Sequence, residues 1–358
     1  MTHSSTQAVS ALWVQNAWYQ VAWCHELGVE GGLARAVLGL PLLVMRDASG
    51  AARTLFNRCP HRFAPLSAGR IANGIVRCGY HGLAFDGAGR CVDNPHGAAT
   101  SAICVQSFPT IERHRAIWAW LGSGAADGSL IPDLGFIDEA PDTARITGYL
   151  PTQADYQLVT DNILDLSHAD YLHPTSLGGM MTGARTSIKE EGGAVTVEWL
   201  AENCNPPPAF HSMVPPPAKA DIWTAVTWRP PALMVLSTWA KEAGKDRNPE
   251  HLAITLHNVT PADKLSSHYF FCAVRKFNVA DAGFNAMLGQ IITRAFEEED
   301  KPMLEKQQAN MLGADFWSLK PVLLNIDNAA VRARRILARL VDSQRAPESA
   351  PAVRGAGS

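Results

Sequence analysis

The sequence predicts an α+β protein in two domains, an antiparallel β domain followed by a domain that combines helices with a second sheet. A chain of 358 residues is long enough for two domains. Short apolar runs separated by Gly, Pro and Asn fill its first third, whereas helical spacing and strand patterns both occur later. We therefore predict one domain over residues 13–145, a second over 146–345, and a disordered tail over 346–358.

The first domain contains short stretches that are typical of antiparallel strands. Examples are ARAVLGLPLLVMR, GIVRCGY and AIWAWLG, and the last of these alternates around Trp118 and Trp120. The next stretch, GSGAADGSLIPDLGFIDEAPD, is rich in Gly, Asp and Pro, so we expect it to cross the surface as a connection.

The second domain begins with a helical pattern and continues with strands. The stretch YQLVTDNILDLSHADYLHP has helical spacing. Later stretches with strand patterns are AVTVEWL, ALMVLSTWA, HLAITLHNV and SHYFFCAVRKF. Two helices, over residues 286–311 and 328–341, are predicted to close the domain.

The composition limits the classes of partner. A hydrophobic content of 47% and a charged content of 18% are those of an ordinary globular protein. The formal net charge of −3, without a basic cluster, argues against nucleic acid or an anionic membrane. The sequence has neither a membrane-length apolar run nor a signal-peptide pattern, so we expect a cytoplasmic protein. Seven cysteines, an odd number, favour reduced thiols and metal ligands over disulfides.

Two short motifs each pair one cysteine with one histidine. Cys59 and His61 form C-x-H, and after a gap of sixteen residues Cys78 and His81 form C-x-x-H. A Rieske [2Fe-2S] centre needs two thiolates on one iron and two imidazoles on the other, so each of two loops must present one of each. The spacing therefore predicts such a cluster. The alternative is a structural zinc site, although zinc sites more often combine C-x-x-C with a separate pair of histidines.

A second group of candidate ligands follows in the segment DNILDLSHADYLHP. Asn162, Asp165 and His168 recur at intervals of three, which predicts that they share one helix face. His173 lies five residues after His168, just before a proline that ends the helix. Two imidazoles and one carboxylate form the ligand set of a non-haem Fe(II) oxygenase, whose open positions accept O2 and substrate.

The best candidate for the carboxylate is Asp300, at the end of the acidic run that begins at Glu297. In a helix from residue 286, Asp300 falls four residues after Phe296 and three before Met303, on the apolar and therefore inward stripe. The alternative is that all four acids form a solvated helix face, as acidic runs usually do.

Together these motifs resemble the Rieske oxygenase family, and more closely its branch of vanillate O-demethylase and dicamba monooxygenase oxygenases. The resemblance covers nearly the whole chain. It includes NAWYQVAW from Asn16, CPHRFAPLSAGRIANG from Cys59, CGYHGLAFDGAGRCVDNPHG from Cys78, DNILDLSHADYLHP from Asp161, HNVTPADKLSSHYFF from His257, EEEDKPMLEKQQ from Glu297 and LLNIDNAAVRARRIL from Leu323. It supports Asp300 as the third iron ligand, with Glu299 as the fallback.

The resemblance implies a Rieske β domain joined to a catalytic domain in which helices pack on an antiparallel sheet. It also implies a homotrimer in which the cluster of one subunit serves the mononuclear iron of its neighbour. Electrons would come from NAD(P)H through a separate reductase that carries a flavin and an iron-sulfur cluster. The implied reaction is the O2-dependent oxidation of a small aromatic such as a methoxybenzoate, by O-demethylation.

Other functions remain open from the sequence. Within the family, the alternative is hydroxylation of a ring methyl or a ring carbon of an aromatic acid. Outside it, a Rieske electron-transfer protein would need no second motif and about a third of this length. A zinc-dependent hydrolase is the other class.

The resemblance also suggests roles for residues near the iron. Asp165 would bridge His168 to a cluster histidine of the neighbouring subunit, His81, so Asp165 and Asn162 are candidate catalytic residues. His257 corresponds to a histidine that binds the substrate in the dicamba enzyme.

The same enzyme offers the substrate a further polar group. At the corresponding place this chain carries apolar residues around Leu236, which argues against the same carboxylate clamp.

Overall fold

The computed structural model describes residues 12–345. The predicted disordered tail, residues 346–358, lies outside this range. Over the described residues, no helix combines the length and the apolar character needed to cross a membrane.

The first domain is built from antiparallel strands, as predicted. They are β1 (Ala17–Trp23), β2 (Gly32–Val37), β3 (Leu40–Arg46), β4 (Ala52–Phe56), β5 (Arg70–Ala72), β6 (Ile75–Arg77), β7 (Ala84–Asp86), β8 (Cys91–Asp93), β9 (Ser107–Phe108), β10 (Thr110–Arg113) and β11 (Ala116–Leu121). Their sheets have the strand orders β1-β11-β10, β2-β3-β4-β9 and β5-β6-β7-β8.

The alternation predicted for AIWAWLG is present in β11. Trp118 and Trp120 pack into one apolar cluster, whereas Ile117, Ala119 and Leu121 belong to another. Because successive side chains of a strand point to opposite faces, this single strand contributes to two cores.

The second domain contains one long antiparallel sheet. Its strands are β12 (Arg145–Thr152), β13 (Arg185–Glu191), β14 (Ala194–Cys204), β15 (Ala220–Arg229), β16 (Leu233–Glu242), β17 (Leu252–Pro261) and β18 (Ser267–Arg275). They are ordered β12-β18-β17-β16-β15-β14-β13. The four predicted strand stretches all lie in this sheet.

Helices cover the sheet of the second domain. They are α1 (Gly135–Glu139), α2 (Tyr156–Leu164), α3 (Ala169–Leu172), α4 (Ala282–Thr293), α5 (Lys301–Asn310) and α6 (Asn328–Arg345). A π-helical segment, Arg294–Asp300, joins α4 to α5. The predicted α+β class, with helices against an antiparallel sheet, is confirmed.

Hydrogen bonds that are buried or partly buried connect the two domains. The side chain of Gln20 in β1 accepts from Asn258 Nδ2 at 3.0 Å, and its main-chain oxygen accepts from the hydroxyl of Thr260 at 2.8 Å. Trp23 Nε1 donates to the carbonyl of Gly148 at 2.9 Å. The exact boundary between residues 145 and 146 stays a prediction.

Candidate metal centres

The two cysteine-histidine motifs form loops of the same shape. The N–H of Cys59 donates to the carbonyl of Ala64, and the N–H of Cys78 donates to that of Leu83, both at 2.8 Å. Phe63 and Gly82 donate back to the two cysteine carbonyls, at 2.9 and 3.1 Å. Both closing residues have positive φ, 62° and 78°. The two loops therefore share one pattern of backbone hydrogen bonds, although His61 lies two residues after its cysteine and His81 lies three residues after its own.

Glycines allow the two loops to approach each other closely. A Cβ on Gly69 would lie 2.0 Å from the carbonyl oxygen of Arg77, and one on Gly79 would lie 3.0 Å from that of Ala68. The first distance is a severe clash, so a larger residue would push the loops apart.

The four predicted cluster ligands meet between these loops. Cys59 and Cys78 are buried, and the rings of His61 and His81 lie 4.5 Å apart between centroids. Burial raises the pKa of the Cys59 thiol, and contact with Cys78 raises it further. Nδ1 of His81 is buried without a hydrogen-bond partner. A metal ion bound to these atoms would favour the thiolates and satisfy the orphaned nitrogen.

The arrangement fits a two-iron cluster better than one zinc ion. A tetrahedral zinc holds its ligand atoms about 2.0–2.3 Å from the metal, so that all four lie close together. Among the described residues, no three of these four side chains bring their ligand atoms within 4.8 Å of one another. A Rieske cluster places the two thiolates on one iron and the two imidazoles on the other, so it does not need three of these ligand atoms so close together.

The predicted triad meets in the second domain. His168 follows α2 in a 3₁₀ turn, His173 follows α3, and Asp300 ends the π-helical segment. Their ligand atoms all lie within 4.8 Å of one another. Oδ1 of Asp300 is 3.4 Å from Nε2 of His168 and 3.2 Å from Nε2 of His173. Two imidazoles and a carboxylate that converge in this way suit a single divalent iron.

The electrostatics keep the carboxylate ionised. Burial by itself raises the pKa of Asp300, but hydrogen bonds and charge from His168 and His173 outweigh it and bring the pKa to about 2. Asn162 adds a donor, since its Nδ2 lies 3.2 Å from Oδ1 of Asp300. Asp300 is therefore a ready anionic ligand.

Glu299 does not take the place of Asp300. Its Oε2 accepts from Nδ1 of His173 at 2.6 Å, on the opposite side of the ring from the Nε2 that faces Asp300. Arg294 holds the other oxygen of Glu299 at 3.1 Å. Glu299 thus orients the ring of His173, as carboxylates near metal-bound histidines commonly do.

The prediction that Asn162, Asp165 and His168 share one helix face is wrong. Helix α2 ends at Leu164, and Asp165 is extended, with φ −130° and ψ 92°. Its carboxylate accepts the N–H of Ser167 at 3.0 Å and so starts a new 3₁₀ turn, because aspartate competes with the helix for backbone donors. Nδ1 of His168 consequently lies 2.5 Å from the main-chain oxygen of Asp165, not from its carboxylate.

A cavity of about 170 Å³ lies beside the triad, which forms part of its wall. His257 also lies in this wall and is buried. Its Nδ1 is 2.6 Å from the hydroxyl of Tyr269, and its Nε2 is buried without a partner. Burial lowers the pKa of His257 to about 3, so the ring is neutral. Its contact with substrate stays a prediction, while Leu236 lines the cavity as an apolar residue.

Asp170 organises the loop over the cavity and was not among the residues predicted for the site. Its carboxylate accepts four main-chain N–H groups, from Gly179, Met180, Met181 and Thr182, at 2.7–3.1 Å. Nothing in the sequence marks Asp170, because its partners lie nine to twelve residues away in an irregular segment. Both methionines line the cavity.

Two family models match the chain. The Rieske [2Fe-2S] domain matches residues 17–109, and the vanillate O-demethylase oxygenase C-terminal domain matches residues 152–343.

Curated relatives and solved structures match over nearly the full length. The oxygenase component of chloroacetanilide N-alkylformylase from Rhizorhabdus wittichii is 36% identical, over 94% of this chain and 98% of the relative. The dicamba O-demethylase oxygenase component of Stenotrophomonas maltophilia is 33% identical, over 91% and 97%. The structure of dicamba monooxygenase bound to 3,6-dichlorosalicylic acid superposes with a TM-score of 0.87 at 31% identity, covering 95% of this chain and all of that one.

Both of these relatives are named as oxygenase components, and each is therefore one part of a multicomponent system. The predicted cofactors, a [2Fe-2S] cluster and a mononuclear non-haem iron, agree with the matched Rieske domain and with the iron-containing dicamba structure. The chain belongs to the Rieske non-haem iron oxygenases, as an oxygenase component with a catalytic domain of the vanillate O-demethylase type.

Proposed function

We propose that this oxygenase removes the methyl group from a methoxy substituent of a small aromatic substrate. One observation carries the proposal: the His168, His173 and Asp300 side chains converge in the wall of a cavity large enough for one aromatic ring. An engineered cavity of about 150 Å³ holds benzene, so about 170 Å³ suits a single ring.

The geometry and chemistry of the two sites support the following proposal for the ligand residues. Cys59 and Cys78 would hold one iron of the cluster, with His61 and His81 on the other. His168, His173 and Asp300 would hold the mononuclear iron. When bound, the cluster supplies electrons one at a time and the mononuclear iron supplies the chemistry that activates O2.

The remaining residues of the site orient these ligands and exclude water. Glu299 fixes the tautomer of His173, because its carboxylate accepts the proton on Nδ1 and leaves Nε2 free to bind metal. Asn162 holds the carboxylate of Asp300 in place. The apolar wall keeps water away from a ring placed against the triad.

Oxidation of a methoxy carbon explains the expected products. Insertion of one oxygen atom into a C–H bond of the methyl group gives a hemiacetal, and its collapse releases formaldehyde and leaves a phenol. The second oxygen atom leaves as water after taking two electrons and two protons. NAD(P)H supplies these electrons through the reductase, for which we propose a flavin and an iron-sulfur cluster because a nicotinamide delivers electrons in pairs.

We also propose that the working form is a homotrimer. The loops that carry the cluster ligands lie at the surface, and the large apolar side chains of Phe63 and Tyr80 on these loops are 69% and 59% exposed. Such side chains suit burial against a neighbouring subunit. Asp165 of one subunit would then contact His81 of the next. The cytoplasmic location stays a prediction from the sequence.

Formaldehyde release tests the proposed reaction. The iron-loaded protein, a surrogate reductase, NADH and O2 are combined with a panel of methoxyarenes and methylarenes. We expect phenol and formaldehyde in equal amounts from methoxyarenes. Ring-hydroxylated or hydroxymethyl products, without formaldehyde from any methoxyarene, would show that the enzyme is a hydroxylase.

A further inference from the structure

We propose that the substrate is an uncharged aromatic that carries a hydrogen-bond acceptor close to the carbon that is oxidised, and that aromatic carboxylates and sulfonates are excluded. This inference rests on the proposed function in taking the cavity beside the triad as the substrate site. It narrows the substrate to one class of small aromatic.

The wall of the cavity is mainly apolar. Met180 and Met181 contribute from the loop that Asp170 organises, Leu236 contributes from β16, and Ile291 and Ile292 contribute from α4. Apolar side chains on all sides favour a ring but offer nothing to solvate an anion. The polar groups in the wall therefore decide which substituents are accepted.

The hydroxyls of Thr224 and Thr238, which both line the cavity, have no proton to donate to a substrate. The hydroxyl of Thr238 donates to the main-chain oxygen of Trp223 at 3.0 Å. The hydroxyl of Thr224 lies 2.9 Å from Thr238 Oγ1 and donates to it, because the proton of Thr238 is already used. An anion placed there would meet only lone pairs.

Arg275 brings a cation into the wall, but other groups already bind it. Its Nη1 donates to Oδ1 of Asn285, and its Nη2 donates to the main-chain oxygens of Thr143, Asn278 and Asp281 at 2.6, 3.1 and 3.2 Å. Its Nε is buried without a partner and offers a single N–H. The guanidinium thus links these segments to β18. It has no free pair of N–H groups with which to bind a carboxylate through two parallel hydrogen bonds.

His257 supplies a neutral donor beside the triad. The hydroxyl of Tyr269 is buried and, within residues 12–345, has only Nδ1 of His257 as its partner, so it donates its proton to that nitrogen. The imidazole is neutral and must then carry its own proton on Nε2, the atom that has no partner. An ether, carbonyl or nitro oxygen on the substrate would satisfy it.

The hydroxyl of Thr255 is a second neutral group in the wall. Thr255 pairs with Leu236 across β16 and β17, two residues from His257, and its side-chain hydroxyl makes no hydrogen bond to any of the described residues. A hydroxyl and an imidazole can each bind an uncharged oxygen at little cost. Neither carries the positive charge that would compensate the lost hydration of a carboxylate, and the guanidinium of Arg275 already donates to other groups through both of its Nη atoms.

Matched pairs of ligands test the inference. The iron-loaded enzyme is titrated without O2 in a calorimeter at pH 7.5 with 2-, 3- and 4-methoxybenzamide and with the three methoxybenzoates. Each pair differs by the charge of one substituent. We expect at least one amide to bind, and every amide that binds to do so about 100-fold more tightly than its acid, since a buried unpaired charge costs this much or more.

Two variants of Leu236 show whether the lack of a hydrogen-bond donor at this position causes the preference for amides over acids. Leu236→Asn adds amide donors opposite Thr255, and we expect it to reduce the preference for the amides about tenfold, whereas Leu236→Met should leave it unchanged. A methoxybenzoate that binds the native enzyme within threefold of its amide, or binding of no amide at all, would overturn the inference. If the amides bind preferentially but are hydroxylated without formaldehyde release, the neutral class stands and the proposed demethylation fails.

Discussion

Nδ1 of His173 lies 2.6 Å from Oε2 of Glu299, while Nε2 on the opposite side of the same ring lies 3.2 Å from Oδ1 of Asp300. One carboxylate therefore orients the imidazole, and the other converges with it in the predicted triad. The two acids are adjacent in sequence. A π-helical turn explains how these two adjacent residues can both contact His173. Its geometry is wider than that of an α-helix and directs consecutive side chains to the same neighbour.

Glu299→Gln should weaken the binding of the mononuclear iron about 10–100-fold, since the amide is a weaker acceptor for the proton of His173. Iron content after dialysis against graded chelator measures this. Glu298→Gln, an exposed neighbour on the same helical segment, is the control. The visible spectrum of the cluster should not change in either protein. Equal iron retention in both variants would contradict the orienting role.

The cluster site was predictable from the sequence because each of its two motifs is local. Cys59 and His61, like Cys78 and His81, are separated by only one or two residues, so a single loop fixes each pair. The strands of both domains were predictable for a similar reason, since alternation is a local property.

The second site was only partly predictable, because its contacts depend on irregular helices. Asp300 was found from its place on an apolar stripe, yet Met303 on that predicted stripe is exposed. The π-helical segment changes the register, which also explains why the sequence indicated Glu299 only as a fallback ligand and not as the partner of His173. Asp165 was misplaced because its carboxylate ends one helical segment and starts the next. The pairing of His257 with Tyr269 joins two strands and leaves no local signal.

Asp300→Ala should remove the mononuclear iron and lower turnover at least about 100-fold, while the cluster keeps its visible absorbance. The reason is that the variant loses the carboxylate that both histidines face, whereas the cluster loops belong to the other domain. Iron analysis combined with absorption spectroscopy measures both sites at once. Full iron content with normal turnover would exclude Asp300 as a ligand.

Cys59→Ser should abolish the visible bands of the cluster, because a hydroxyl is a poor substitute for a thiolate that bridges protein and iron. Cys104→Ser is the matched control, since Cys104 is an exposed cysteine outside both loops. Absorption spectra after anaerobic reconstitution with iron and sulfide give the comparison. Loss of the bands in the control as well would mean that the effect is not specific to the loops.

Asp170→Asn should loosen the loop that covers the cavity. The resulting loss of folding stability should depend on pH. Burial raises the pKa of Asp170, but hydrogen bonds from Thr182, Met181 and Gly179 outweigh it and bring the pKa to about 2. Because the folded state lowers this pKa from 3.8, the stabilisation is fully present above about pH 4 and is lost as the pH falls towards 2. We expect the variant to be about 1 kcal/mol less stable at pH 7, after allowance for partial exposure.

Denaturant unfolding at pH 7 and pH 3 measures this difference. The difference in the free energy of unfolding between the native protein and Asp170→Asn should be smaller at pH 3 than at pH 7. Amide exchange at 179–182 should be faster in the variant at pH 7. Asp246→Asn, at an exposed aspartate, is the control. A gap of equal size at both values of pH would contradict the role of the charge.

Asp165→Asn separates a local role of this residue from a role between subunits. Within the chain, Asp165 contributes one side-chain oxygen to the N–H of Ser167 and its main-chain oxygen to His168. Asparagine keeps both contacts, because it is also a good cap and its backbone is unchanged.

If Asp165 were only a cap, the variant would behave like the native protein. If its carboxylate bridges His168 to His81 of the partner subunit, the negative charge is essential, and product formation in a single turnover should be nearly abolished while iron content, cluster absorbance and oligomeric state stay native. Pre-reduced protein mixed with substrate and O2 gives the measurement, with cluster absorbance followed over time and product counted at the end. Native rates in an iron-replete variant would show that the carboxylate is not the bridge.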